Sequence, residues 1–233
     1  MEWLDWLDRF GPLLALVLVY GFFVWLEPNM LSMLAVQRVV LQSVIVGISA
    51  IGMTLVIISA GIDLSAGSVI AFGSVAVAYA MTALGLGPVG AALAGVLAGL
   101  LWGLINGLII TRFKVVPFIV TLGTLLVVRG AAKGVAGSMP INVEQTWLND
   151  LMTLPGGEMS WLVLPPGGWL MLVLAVATAG LLGYTKLGRH IFAVGSNEET
   201  ARLCGVDVER VKLFVYSAAG AFSGLAGLMM MSY

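Results

Sequence analysis

Seventy-three consecutive residues, 39 to 111, contain a single charge, Asp63. A water-soluble domain carries about 25% charged residues, so a stretch this bare cannot be a soluble core. Over the whole chain 60% of residues are hydrophobic and 10% charged. Apolar runs near the roughly 20 residues needed to cross a bilayer predict an all-α, polytopic helical membrane protein. The net charge of −1 points to neither nucleic acid nor a basic membrane-surface patch. One cysteine, Cys204, rules out an intramolecular disulfide and any multi-thiolate metal site within the chain.

About seven spans are expected. They cover residues 10–26, 41–60, 69–84, 89–110, a fifth beginning at Pro117, 166–184, and a seventh from Leu213 to the end. The N-terminus is acidic and lacks a small-residue cleavage site, so the first span reads as retained rather than a cleaved signal. Residues 30–40 read as a short interfacial link. The fifth span is short, because Lys114 and Arg129 bracket only fourteen residues; it must extend with snorkelling ends, tilt little, or be broken. Residues 137–164 form a polar loop rich in Pro and Gly, with Trp147 and Trp161 suited to a membrane–water boundary.

Orientation follows from the distribution of Lys and Arg. With the N-terminus inside, the inner loops hold Arg9, Arg112, Lys114, Lys186, Arg189, Arg202, Arg210 and Lys212, and the outer ones hold Arg38, Arg129 and Lys133. Eight against three favours a cytoplasmic N-terminus and places residues 185–212 in the cytoplasm.

That stretch is the polar exception in the chain. Ser196 as N-cap, Glu199 closing a capping box, Glu198 and Glu199 in the first turn and Gly205 as a left-handed stop predict a short helix over 197–204. Asp207 then caps a helix running into the last span. A solvated loop with one helical turn is the alternative reading.

Within the spans, Gly95, Gly99, Gly103 and Gly107 recur every fourth residue, and Gly220 and Gly224 repeat the spacing. Such a stripe lets helix backbones approach closely and says nothing about substrate. Asn106 beside it serves either as an interhelix hydrogen bond or as a pathway ligand. Asp63 lies in GIDLSAGS, residues 61–68. If that segment is a surface turn, Asp63 or Ser65 caps the third span. If the helix breaks inside the membrane, Asp63 and Ser65 lie beside a path for polar solutes.

Several absences narrow the chemistry. No G-x-x-x-x-G-K-[ST] is present, so the chain does not hydrolyse ATP with a P-loop. Residues 85–90 match G-x-G-x-x-G by letters but follow no strand and contain Pro88, so they are no dinucleotide site. H-E-x-x-H, C-x-x-C and G-x-S-x-G are absent. His190 stands alone in a water-facing loop, and Cys204 reads as a small apolar residue on the short helix. Neither a catalytic nor a metal-binding set emerges.

Four stretches carry a family resemblance: GIDLSAGS at 61–68, GLINGLII at 103–110, VPFIVTLGT at 116–124 and GRHIFAVGSNEETARLCGVDVERVKLFVY at 188–216. Together they resemble the permease subunit of ribose-type monosaccharide ABC importers, the first and last most specifically. The first forty residues match only in character. The resemblance implies a bacterial inner-membrane protein with an extracytoplasmic sugar-binding protein on one side and a cytoplasmic ABC ATPase on the other. The sugar path would form with a second permease copy or a homologue. ATP and Mg would belong to the ATPase, leaving this chain no enzyme and no cofactor of its own. Residues 197–204 are similar to the coupling helix that enters a cleft on the ATPase. Asn197 belongs to that helix; Glu198, Glu199 and Arg202 would supply polar contacts, Ala201 and Leu203 packing, and Gly205 the stop. The resemblance also brings Asp63 towards the translocation path.

Transport by alternating access follows, with packed spans rocking as the ATPase closes. Family members are longer, with further spans after the one beginning near Leu213. Residues 1–233 are therefore expected to be one transmembrane permease domain cut short at its C-terminus, a fragment or the product of a truncated gene, with 185–212 a coupling loop inside it. An ion-coupled secondary carrier would need ionisable groups in its spans, which are nearly bare of them. A membrane-embedded enzyme would need a catalytic constellation. A non-transporting scaffold or remnant is the third rival.

Overall fold

The computed structural model describes residues 2–154 and 164–233; Trp161 lies outside them. Among the described residues ten α-helices follow one another: α1 Glu2–Leu26, α2 Met33–Ile58, α3 Ala66–Thr82, α4 Pro88–Phe113, α5 Pro117–Val135, α6 Trp147–Asp150, α7 Pro166–Tyr184, α8 Lys186–Ser196, α9 Glu198–Leu203 and α10 Val208–Ser232. Helices α2, α4, α5, α7 and α10 are long and apolar enough to cross a membrane, and the shorter 10–26 and Ala66–Thr82 helices are equally apolar. The chain is a polytopic helical membrane protein.

The described chain forms two compact units, Met1–Gln42 and Ser43–Tyr233. In the first, a single 3-10 turn, Pro28–Leu31, follows α1, and the Tyr20 hydroxyl donates to the Met30 carbonyl at 2.8 Å. Leu16, Leu18, Phe22, Phe23 and Trp25 are exposed, as lipid-facing side chains are. The expected interfacial link at 30–40 does not form, since most of it is the start of α2. No turn-forming residue interrupts the chain after Ser32, and α2 starts at Met33, eight residues before the expected span.

The second unit is organised around α10, which packs along α4 and α3. Small residues make this possible. A Cβ on Gly99 would strike the backbone of Gly220 and Gly224, one on Gly103 would strike Tyr216 and Gly220, and one on Gly95 would strike Val77 and Gly73. Gly107 faces Leu213. The two four-residue stripes thus lie against one another, backbone to backbone. The fifth span is an unbroken helix of 19 residues, about 28 Å long, with Arg129 and Lys133 exposed in its last three turns. That length is reached by carrying two cations beyond the apolar run, the snorkelling solution.

Residues 185–207 are more ordered than a loop. α8 is a helix absent from the expectation above. The Thr185 hydroxyl caps it by accepting from the Gly188 N–H at 3.0 Å, and Ile191 and Val194 are buried. Its signal, Leu187, Ile191 and Val194 at helical spacing behind a Thr cap, is in the sequence but is diluted by four glycines between 183 and 205. α9 also departs in detail. Its N-cap is Asn197, whose side chain accepts from the Thr200 N–H at 2.8 Å, whereas Ser196 closes α8. The Ser196–Glu199 capping box therefore does not form. Asn197 is the cap because Ser196 is still the last residue of α8, so the chain first leaves the helical conformation at 197. Gly205, with φ of +83°, ends the helix in the left-handed region as expected. Asp207 caps α10, accepting from the Arg210 N–H at 3.1 Å.

Candidate functional site

Two polar features occupy one end of the second unit. The first is the break between α2 and α3. The α2 backbone closes in a tight reverse turn, Gly61 N–H to the Val56 carbonyl at 2.9 Å, with Ala60 at φ +57°. Residues 61–65 are then non-helical. They are not a surface turn: Asp63 is 7% exposed and Ser65 fully buried. The Asp63 carboxylate does not cap α3 by reaching its first turn. It accepts from the Ser65 N–H at 2.8 Å and from the Ser65 hydroxyl at 2.6 Å. Ser65 stands at the N-cap position but makes no side-chain cap bond.

The fold brings Asp63, Ser65 and Asn106 together and adds residues that the sequence reading missed. The Asn106 amide on α4 donates to Ser65 Oγ at 3.0 Å. Thr124 on α5 donates to Asn106 Oδ1 at 2.6 Å. Tyr216 on α10 donates to the Ile62 carbonyl at 3.3 Å, and the Thr121 hydroxyl lies 3.4 Å from the same carbonyl. A Cβ on Gly61 would collide with the Tyr216 hydroxyl. Three helices thus bond the Ile62 carbonyl and hold the Ser65 hydroxyl, polar groups that the break leaves without helical partners.

Depth follows from helix register. Asn106 and Thr124 each lie seven residues from the nearer ends of α4 and α5, and Tyr216 lies eight from the start of α10. At 1.5 Å per residue this sets the network about 10–12 Å inside the end that carries α8 and α9.

The second feature is that end itself. α8 closes over α2: a Cβ on Gly195 would meet the Ile58 carbonyl and Ser59. Ile191, Val194, Ala201, Val208 and Val211 join Leu55, Val56, Ile110 and Val120 in one apolar cluster, so α8 and α9 are docked on the helix ends. Glu198 is held from two sides, by Lys212 Nζ at 2.6 Å and by Arg202 at 3.4 Å. Between α9, the start of α10 and the α4–α5 link runs an open groove of about 760 Å³, lined by Lys114, Val116, Glu198, Glu199, Arg202 and Leu203 among others.

The expected coupling residues divide accordingly. Glu199, Arg202 and Leu203 face outward, Leu203 at 89% exposure. Ala201 is buried in the chain's own cluster, so its packing is internal. Glu198 is partly committed to Lys212. Asn197 and Gly205 shape the helix. Cys204 is exposed at the C-cap, not the apolar helix residue expected, because Ala201 takes the buried side of so short a helix. His190 is exposed. Among the described residues no three His, Cys, Asp or Glu side chains gather as a metal-holding group.

Packed apolar helices, a polar break within them and a docked amphipathic end define a multi-pass helical membrane protein. A family model described as branched-chain amino acid transport system/permease component matches residues 35–233. The chain belongs to that permease family. It is 34% identical over 224 residues to the ribose import permease of Escherichia coli strain K12, covering 96% of this chain and 69% of that one. To the ribose import permease of Bacillus subtilis strain 168 it is 39% identical over 226 residues, covering 97% and 69%. To the L-arabinose transport system permease of Escherichia coli strain K12 it is 32% identical over 225 residues, covering 97% and 67%. No solved structure matches the chain.

Proposed function

We propose that this chain is the membrane subunit of an ABC importer that carries a monosaccharide, a ribose-like pentose or a similar sugar, across the bacterial inner membrane. The observation that carries this reading is the similarity over nearly the whole chain to ribose and arabinose permeases. Those relatives favour a sugar over the amino acids in the family model's description.

The working parts are assigned by their chemistry. α9 is the contact for a cytoplasmic ATPase, with Glu199, Arg202 and Leu203 as its outward face; an Arg beside exposed apolar area is the kind of anchor a partner's cleft takes up. ATP and Mg stay on that partner. Asp63, Ser65 and Asn106 are assigned to the edge of the path at a discontinuous crossing; buried and bonded to one another here, they meet a solute only when the break moves. The N-terminus is cytoplasmic by the Lys and Arg count. An extracytoplasmic binding protein delivers the sugar, and a second permease copy or homologue completes the path.

The test is uptake. The chain, its ATPase and its binding protein, reconstituted in vesicles, should accumulate labelled ribose or a related pentose with ATP and fail without it. Accumulation of labelled leucine instead would move the assignment to amino acids. ATP-independent uptake would move it to a secondary carrier.

A further inference from the structure

Lys212 and Tyr216 stand one turn apart on α10, which puts their side chains on the same side of the helix. Lys212 holds α9 through Glu198 at 2.6 Å and is itself only 19% exposed. Tyr216, 1% exposed, holds the α2–α3 break through the Ile62 carbonyl at 3.3 Å. Its hydroxyl is also the atom against which Gly61 packs. One turn of one helix, about 6 Å along its axis, therefore touches both the outward-facing α9 and the polar break beneath it.

We infer that Tyr216 is a positioning residue that ties the conformation of the 61–65 break to the seating of α9. When α9 is pulled from α10, the Glu198–Lys212 pair opens, the first turns of α10 shift, and the Tyr216 hydroxyl leaves Ile62. The break then loses its α10 anchor and keeps those on α4 and α5, through Asn106–Ser65 and Thr121. Asp63 and Ser65 are freed to move with the segment. Two bonds one turn apart on the same helix are a physical link, whereas spatial closeness alone would not be. The inference rests on α9 being the element a partner moves, but its test needs no transport.

The experiment is amide hydrogen exchange on the full chain in lipid nanodiscs, comparing Tyr216→Phe, Glu198→Gln and the double variant. Tyr216→Phe keeps the ring in its packed site and removes only the hydroxyl. Glu198→Gln alters a half-exposed residue on α9 that touches nothing in the break. Expected is about fivefold faster exchange over residues 59–65 in Tyr216→Phe, the size of one lost hydrogen bond. A similar rise is expected in Glu198→Gln, and the double variant should be no faster than Tyr216→Phe, with α7 unchanged throughout. Unaltered exchange at 59–65 in Glu198→Gln, or rates in the double variant that multiply, would overturn the link. If the link holds while no sugar is taken up, the transport assignment fails alone.

Discussion

Asn106 and Ser65 are 41 residues apart in sequence and 3.0 Å apart in space, the amide of one donating to the hydroxyl of the other in a site closed to water. Because Thr124 donates to the other end of the same amide, one side chain on α4 joins the α2–α3 break to α5. Asn106→Leu keeps the branched shape and heavy-atom count and removes both bonds, leaving the Ser65 and Thr124 hydroxyls without this partner. It should lower stability by about 1–2 kcal/mol. Thermal unfolding in lipid or detergent checks this. In a double-mutant cycle Asn106→Leu and Thr124→Val should couple by at least about 0.5 kcal/mol; strict additivity would mean that they do not share a bond.

The helix interface can be tested by substituting glycines of two kinds. Gly99 and Gly103 have α10 backbone where a Cβ would stand, and neither α4 nor α10 can recede without parting from α3. Gly99→Ala or Gly103→Ala should destabilise by about 1–3 kcal/mol through overpacking. Gly123 and Gly130 on α5 have nothing within 4 Å. Gly123→Ala should be neutral or gain a few tenths of a kcal/mol from helix propensity. Gly99→Ala and Gly103→Ala should both melt below Gly123→Ala.

Two turns of opposite design make a paired prediction. Ala60 sits at φ +57° and Gly205 at φ +83°, a region that an L side chain enters at about 1 kcal/mol or more. Ala60→Gly should raise stability by about 0.5 kcal/mol, the relieved left-handed strain less the entropy of the freer unfolded backbone. Gly205→Ala should cost about 1 kcal/mol, because α9 then lacks its left-handed stop. Unfolding midpoints moving the same way in both variants would contradict the backbone account.

The spans were legible because lipid enforces them: a 73-residue stretch with one charge has few ways to fold. The glycine stripes were legible as packing faces because small residues at four-residue spacing have one geometric use. Asp63, Ser65 and Asn106 stood out as polar residues in an apolar field. Thr121, Thr124 and Tyr216 did not, since Thr and Tyr occur often in spans and only the rotation of α5 and α10 shows which ones face the break. The exchange of Ser196 for Asn197 as the cap has a similar cause. Both are good N-caps, and the choice depends on where α8 ends, which the sequence leaves open by one residue.

The exposed face of α9 offers the sharpest separation of function from folding. Glu199, Arg202 and Leu203 point outward, and the one ion pair among them, Arg202 to Glu198, is at a half-exposed site where such pairs contribute about 0–1 kcal/mol. Replacing Glu199 and Arg202 with Ala and Leu203 with Asp should therefore leave insertion and melting nearly unchanged. If α9 docks on the ATPase, the same variant should lose at least about tenfold in ATP-driven uptake, the size of one disrupted anchor of about 1.4 kcal/mol. Ala201→Asp is the contrasting case. Ala201 is 5% exposed inside the cluster with Val194, Val208 and Val211, so a carboxylate there should cost several kcal/mol and unseat α8 and α9 together. Uptake measured beside a melting curve tells the two apart. Loss of uptake without loss of stability in the outward triple variant marks a docking face, and full uptake in that variant would remove α9 from the role assigned to it.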